Sequence, residues 1–249
     1  MTRWQKWYLE DERLPSIPPS LCAQAAVDLF SEHGKRVLLD VGCGVGRDAL
    51  YLSQHGFTVV GVDAAEAAVR IAHRLKVERH LEALLIQADG RTLPFADASL
   101  DGIYCFGLLH EFTDETRDQD VRAVMDEIHR VLAWGGILIL TVLSGDPEAG
   151  MPAVRLFTEQ MFDEATQSFQ LVDKREVADI GCTGREDYWV WRGVLIKQPA
   201  VHLGNTTQTV ASCDRGVDRG RGPVQQSRRH LEYDITPLTH HPHRAIMGR

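Results

Sequence analysis

The chain has 249 residues, 44% hydrophobic and 25% charged, which suits a globular protein able to bury a core without disulfides or metals. No apolar run approaches the ~20 residues a membrane-spanning helix needs, and the polar start Met1-Thr2-Arg3-Trp4-Gln5-Lys6 does not read as a signal peptide. The net charge of −8 is uneven: residues 199–249 hold seven Arg against four acids, so residues 1–198 carry −11 and lack the basic face that a phosphate backbone requires, which disfavours nucleic acid as a partner.

Three segments are expected. Residues 1–35 form an N-terminal cap segment, in which Trp4, Trp7 and Tyr8 precede Pro15, Pro18 and Pro19. Ser20 is placed to cap a helix whose apolar face is Leu21, Ala25, Ala26, Leu29 and Phe30, ending near His33-Gly34. A regular alternation follows over residues 36–143. Arg36–Val41 reads as a buried strand, Gly42–Gly46 as a turn, Asp48–His55 as a helix stopped by Gly56, and Phe57–Val62 as a second strand. Ala67, Ala68, Ile71, Ala72 and Leu75 recur at helical spacing, Leu84–Ala88 and Leu100–Phe106 are further strands, and Val121, Val124, Met125, Ile128 and Val131 mark a helix closed by Gly135-Gly136. Ile137–Leu143 is the fifth strand. Strand and helix alternating at this pitch imply a parallel sheet covered on both faces.

Beyond Ser144 the texture changes. Thr158 can cap a helix bearing Met161, Phe162 and Ala165, and Gln170–Glu176 and Tyr188–Lys197 read as an antiparallel hairpin. The expected fold is thus a single α/β domain over residues 36–198: a doubly wound, Rossmann-like sheet of seven strands, the first five parallel and the last two a hairpin. From Pro199 neither periodicity survives, and residues 199–249 read as a disordered or loosely attached tail. A chain ended after Gln198 is therefore expected to keep its melting temperature within about 2 °C of the full length, and its donor-induced stabilisation too; a larger drop in a thermal melt would place the tail in the fold. The five cysteines, odd in number and widely spaced, read as reduced thiols of a cytoplasmic protein rather than as a disulfide framework or metal site.

The strongest local signal for chemistry is Leu39-Asp40-Val41-Gly42-Cys43-Gly44-Val45-Gly46. A strand runs into glycines and then a helix, so the backbone can turn tightly and a ligand can lie against it. Nicotinamide and flavin enzymes place a glycine loop at the same point. Asp63, twenty-one residues after Gly42 and followed by Ala64, can accept from both ribose hydroxyls of a nucleoside, or cap the helix starting at Ala64, or both.

The run Gln87-Ala88-Asp89-Gly90-Arg91-Thr92-Leu93-Pro94-Phe95-Ala96-Asp97-Ala98-Ser99-Leu100-Asp101 decides between nucleosides. Together with Leu38–Leu52 and Val59–Asp63 it resembles the type 11 family of class I S-adenosylmethionine-dependent methyltransferases, which includes ubiquinone and menaquinone C-methyltransferases. The family pattern is an acid after strand three, Leu-Pro-Phe, an acidic turn, and Ser-Phe-Asp; Leu100 replaces the Phe here. The resemblance covers residues 36–143 well and 144–198 in pattern only. It implies that Asp89 accepts from the adenine amino group, that the Gly90 N–H meets a ring nitrogen, and that Asp40 organises the loop and the donor's ammonium. Cys43, Ala64 and Phe106 join Gly42 and Gly44 as expected donor contacts.

Phe106-Gly107-Leu108-Leu109-His110-Glu111-Phe112 follows strand four and, in the family, borders donor and acceptor. His110 is a candidate general base, though a structural or positioning role suits it better. Arg47 can approach the donor's carboxylate or stand exposed. Trp4, Trp7 and Tyr8 can close over the pocket or pack on the sheet. The expected activity is in-line methyl transfer from S-adenosylmethionine to a small-molecule acceptor, with no metal. The competing readings are a nicotinamide-dependent oxidoreductase, for which no Tyr-x-x-x-Lys pair is present, and a non-catalytic binding protein.

Overall fold

The computed structural model describes residues 3–11, 13–112, 115–146, 154–180 and 188–198. The expected tail at 199–249, Cys182 and Cys213 lie outside them. The described chain carries helices α1 (Arg3–Glu10), α2 (Leu21–Glu32), α3 (Arg47–Gln54), α4 (Glu66–Glu78), α5 (Arg117–Val131) and α6 (Glu159–Thr166). The strands are β1 (Val37–Val41), β2 (Thr58–Asp63), β3 (Ala83–Gln87), β4 (Leu100–Phe106), β5 (Leu132–Leu143), β6 (Gln170–Asp179) and β7 (Tyr188–Ile196).

The strands form one seven-stranded sheet in the order β3-β2-β1-β4-β5-β7-β6. β1 to β5 run parallel, while β7 pairs antiparallel with both β5 and β6. This is a Rossmann-like sheet with an antiparallel C-terminal hairpin. Side chains alternate between two cores: Leu38, Tyr104 and Ile139 face Phe30 and Leu52 on one side. Leu39, Ile103 and Leu138 face Ile128 and Phe162 on the other. Burial on both faces is why the central strands read as unbroken aliphatic runs. Strand order reverses between β1 and β4, and at such a switch point the loops leave the carboxyl ends in opposite directions and open a crevice.

Helix starts follow side-chain chemistry. The Ser20 hydroxyl accepts from the Ala23 N–H (2.9 Å), and the Asp179 carboxylate takes the Leu21 and Cys22 N–H groups at 2.7 and 2.9 Å, so three orphan donors of α2 are satisfied. Thr158 caps α6 through the Met161 N–H (3.2 Å).

Several boundaries differ from expectation. Residues 3–10 form a helix. α4 begins at Glu66 rather than Ala64. β5 begins at Leu132 and runs through Gly135-Gly136, which therefore do not close α5; an irregularity in its pairing with β4 between Leu100 and Gly102 takes up the glycine pair. β6 extends to Asp179, which pairs with Tyr188 of β7 while its side chain caps α2. The end of α5 is instead capped by buried Lys197, whose Nζ donates to the carbonyls of His129 (2.6 Å) and Leu132 (2.7 Å). Among the described residues no helix is long and apolar enough to cross a membrane.

Candidate active site

A cavity of about 560 Å³ opens at the carboxyl ends of β1 to β4, a size usual for small-ligand sites. Ten of the residues singled out from the sequence line it: Asp40, Gly42, Cys43, Gly44, Asp63, Ala64, Asp89, Gly90, Phe106 and His110; Leu109, in the segment expected to border donor and acceptor, is instead buried in the core.

The glycine loop is built by three left-handed residues, Gly42, Gly44 and Gly46, at φ of 77°, 55° and 79°, a region closed to most side chains. A Cβ on Gly44 would stand 2.8 Å from the Tyr8 hydroxyl, so α1 lies directly on the loop. The loop is fastened to β2: Gly42 and Cys43 both donate to the Val62 carbonyl (2.8 and 2.9 Å), and Gly44 donates to Asp63 Oδ2 (2.9 Å). Asp63 Oδ1 accepts from the Ala65 N–H (2.8 Å), a loop amide and not one of the first helical amides of α4, so Asp63 fastens the loop rather than capping that helix. The Cys43 thiol packs against Gly61 in the core, and burial pushes it up, so the residue offers the cavity its main chain.

Asp40 is buried, and its Oδ2 has no hydrogen-bond partner. Burial raises its carboxyl well above the usual range; the charges of Asp48 and Asp63 add to this, and Arg47 and the Ala49 N–H offset it only in part. Asp63 is raised as well, first by burial and against the pull of its two amides. The floor of the cavity is therefore lined with acids that oppose one another's ionisation.

Arg47 is not an exposed arginine. Its side chain is 12% exposed, donates to the Ile180 carbonyl (3.0 Å), and lies 5.0 Å from the centre of the Phe106 ring. The shape of this end depends on a buried network: Asp48 accepts from the Ser20 N–H (2.8 Å) and hydroxyl (2.9 Å), and that hydroxyl meets the Tyr104 hydroxyl (2.8 Å). Neither Asp48 nor Tyr104 is suggested by the sequence. An acid one residue into a glycine-opened helix was the available signal.

Asp89 pairs with Arg91, whose Nη2 reaches Oδ2 at 2.6 Å, and Arg91 reaches on to Asp120 at 2.7 Å. The Arg91 hydrogen bonds are the main cause holding the Asp89 carboxyl below its usual range. At the opposite end His110 is buried, its Nδ1 accepts from the Leu143 N–H (3.1 Å), and its Nε2 stands 3.4 Å from Glu111 Oε1. The Thr141 hydroxyl, also buried and lining the cavity, has no partner.

Residues 39–140 match the family described as methyltransferase domain. Over these residues the chain is similar to methyltransferase domains. Demethylmenaquinone methyltransferase of Thermus thermophilus is 33% identical over 131 residues, 52% of this chain and 57% of that protein. The chain spans about half the length of the first such relatives. An S-adenosylmethionine-dependent methyltransferase of Methanosarcina mazei shares the fold at a TM-score of 0.58 and 21% identity, over 68% of this chain and 97% of that one. Magnesium protoporphyrin IX methyltransferase of Synechocystis, solved with bound S-adenosylhomocysteine, does so at 0.56 and 16% over 71% and 82%.

The group that a methyltransferase domain carries is S-adenosylmethionine, and the cavity fits it. The unpartnered Asp40 oxygen, in a floor of carboxylates, suits a ligand bearing an ammonium and a sulfonium. The left-handed glycines Gly42 and Gly44 line the cavity and let the loop turn tightly beside it. Among the described residues no cluster able to hold a metal is present.

Proposed function

We propose that this chain transfers a methyl group from S-adenosylmethionine to a small-molecule acceptor. The observation that carries the reading is the unpartnered buried oxygen of Asp40 facing a carboxylate-rich cavity, since a bound cation relieves both the desolvation and the mutual repulsion of these acids.

Asp40 holds the donor's ammonium, Asp63 accepts from the ribose hydroxyls, and Asp89, kept ionised by Arg91, accepts from the adenine amino group beside the Gly90 N–H. Gly42, Cys43 and Gly44 present main chain to the donor, Ala64 borders the ribose, and Phe106 walls the methionine side. The donor supplies a methyl already activated on sulfur, so the protein's share of the chemistry is alignment and exclusion of water. Leu108, Leu143 and Val190 line the acceptor end and keep it apolar. The acidic balance of residues 1–198 supports a small acceptor over nucleic acid.

Incubating the full chain with methyl-labelled donor and a panel of phenols, thiols, amines and enols tests the reading. Label transfer to at least one is expected, and donor binding with no transfer to any class would favour the non-catalytic alternative. With the best acceptor, His110→Ala is expected to lower turnover about tenfold or less at unchanged donor affinity, because positioning dominates. A loss of about a thousandfold in steady-state turnover would make the ring the base.

A further inference from the structure

The geometry points to Glu111, which stands beside His110, as the group that takes the proton from the acceptor, and hence to an acceptor that reacts through an X–H bond (hydroxyl, thiol, amine or enol) rather than one needing no deprotonation. This inference rests on the methyl-transfer reading of the site.

The argument begins at the ring. The Leu143 N–H points at His110 Nδ1 at 3.1 Å, so that nitrogen carries the lone pair and the neutral ring holds its proton on Nε2. The ring is locked in this pose: it is buried, and a Cβ on Gly107 would meet its Cε1 at 3.2 Å, so the side chain packs flat on the β4 exit. His110 therefore has no lone pair left for a substrate proton. What it presents is the Nε2–H, 3.4 Å from Glu111 Oε1. Glu111 also lines the cavity, with its side chain only 12% exposed. A carboxylate accepts about four hydrogen bonds, so one standing beside the ring at this distance can accept a substrate proton. The histidine borders the glutamate as a positioning residue, and Glu111 is the catalytic one. The Thr141 hydroxyl, buried in the same cavity without a partner, supplies a further polar contact for the acceptor heteroatom.

The step balances. The proton of X–H passes to a Glu111 oxygen, and the pair that bound it becomes the X–CH3 bond. The pair of the breaking C–S bond stays on sulfur, leaving a neutral thioether and a neutral glutamic acid where a sulfonium and a carboxylate stood.

Two measurements test it. Nitrogen-15 histidine labelling of the full chain, with His110 assigned by its absence in His110→Gln, reports the ring tautomer without any acceptor. The Nε2–H form is expected, and the Nδ1–H form would return the base to His110 and overturn the proposal. Glu111→Gln is then compared with the parent on phenol and on thiophenol, which is already ionised at the assay pH. Turnover of phenol is expected to fall about a hundredfold or more and that of thiophenol within about fivefold, with donor affinity in calorimetry unchanged within twofold and Glu111→Asp restoring part of the phenol rate. Equal losses on both acceptors, or none on either, sink the proposal; if neither acceptor reacts, the tautomer decides. Failure of the parent to bind S-adenosylmethionine at all would instead sink the methyl-transfer reading.

Discussion

Asp63→Ala is expected to raise the dissociation constant for S-adenosylmethionine about a hundredfold, at the upper end of what two hydrogen bonds to a charged acceptor contribute, ~3 kcal/mol. The upper end is expected because the carboxylate has two duties. It lines the cavity, where the proposed reading makes it the ribose acceptor, and it holds the Gly44 and Ala65 amides at 2.9 and 2.8 Å. Removing it loosens the left-handed loop on which the donor rests as well as deleting a contact. Asp63→Asn, which keeps an acceptor oxygen of the same shape but no charge, is expected to fall between, at roughly tenfold. Titration calorimetry distinguishes the cases: affinity within twofold of the parent for Asp63→Ala would mean that the residue only fastens the loop.

Asp40→Asn is expected to act in opposite directions on stability and binding. Burial, aided by Asp48 and Asp63, raises the Asp40 carboxyl in the folded protein, so the folded state keeps a proton that the unfolded chain releases near pH ~3.9. Stability of the ligand-free protein therefore falls as pH rises from that point through the raised value and is level above it. At neutral pH the asparagine variant escapes this penalty, and its ligand-free melting temperature should rise by about 2–4 °C, the shift that ~1 kcal/mol gives a chain of this size. Its affinity for the donor should drop by about a hundredfold, since the ammonium loses a charged partner. Thermal melts with and without donor, at several pH values, check both signs. A variant that melts lower and binds equally well would show that Asp40 serves the fold alone.

The sheet was legible because its signals are local. Aliphatic runs at Val37–Val41 and Thr58–Val62, helical spacing from Ala67 to Leu75, and glycines at 42, 44 and 46 each announce themselves within a few residues. What was not legible depends on partners far apart in the chain. Ser20 meets Tyr104 across 84 positions, Asp179 caps α2 from 158 positions away, and Lys197 ends α5 from the last strand. Arg47 looked exposed for the same reason: its partners, Ile180 and Phe106, come from β4 and from the end of β6. At the site, residue types announced the glycine loop and the acids, but only geometry assigns His110 its acceptor nitrogen and hence its tautomer. The short helix α1 carries Trp4, Trp7 and Tyr8 at helical spacing on one face, and that single turn of pattern is all its length allows; the rings cluster with one another, Trp4 and Trp7 at 5.1 Å, and Tyr8 reaches the glycine loop.

The choice of nucleoside is the central claim. A glycine loop and Asp63 suit NAD as well as S-adenosylmethionine, but a dinucleotide would bring its pyrophosphate to a floor that already holds Asp40, Asp48 and Asp63. An ionised carboxylate there repels a pyrophosphate where water is excluded, whereas a ligand carrying ammonium and sulfonium is attracted by the same groups. Calorimetric titration of the full chain with S-adenosylmethionine, S-adenosylhomocysteine and NAD in parallel tests this most directly. Saturable binding of the first two, with NAD weaker by about a hundredfold or undetectable, is the predicted result; NAD binding as tight as S-adenosylmethionine, or tighter, would contradict it.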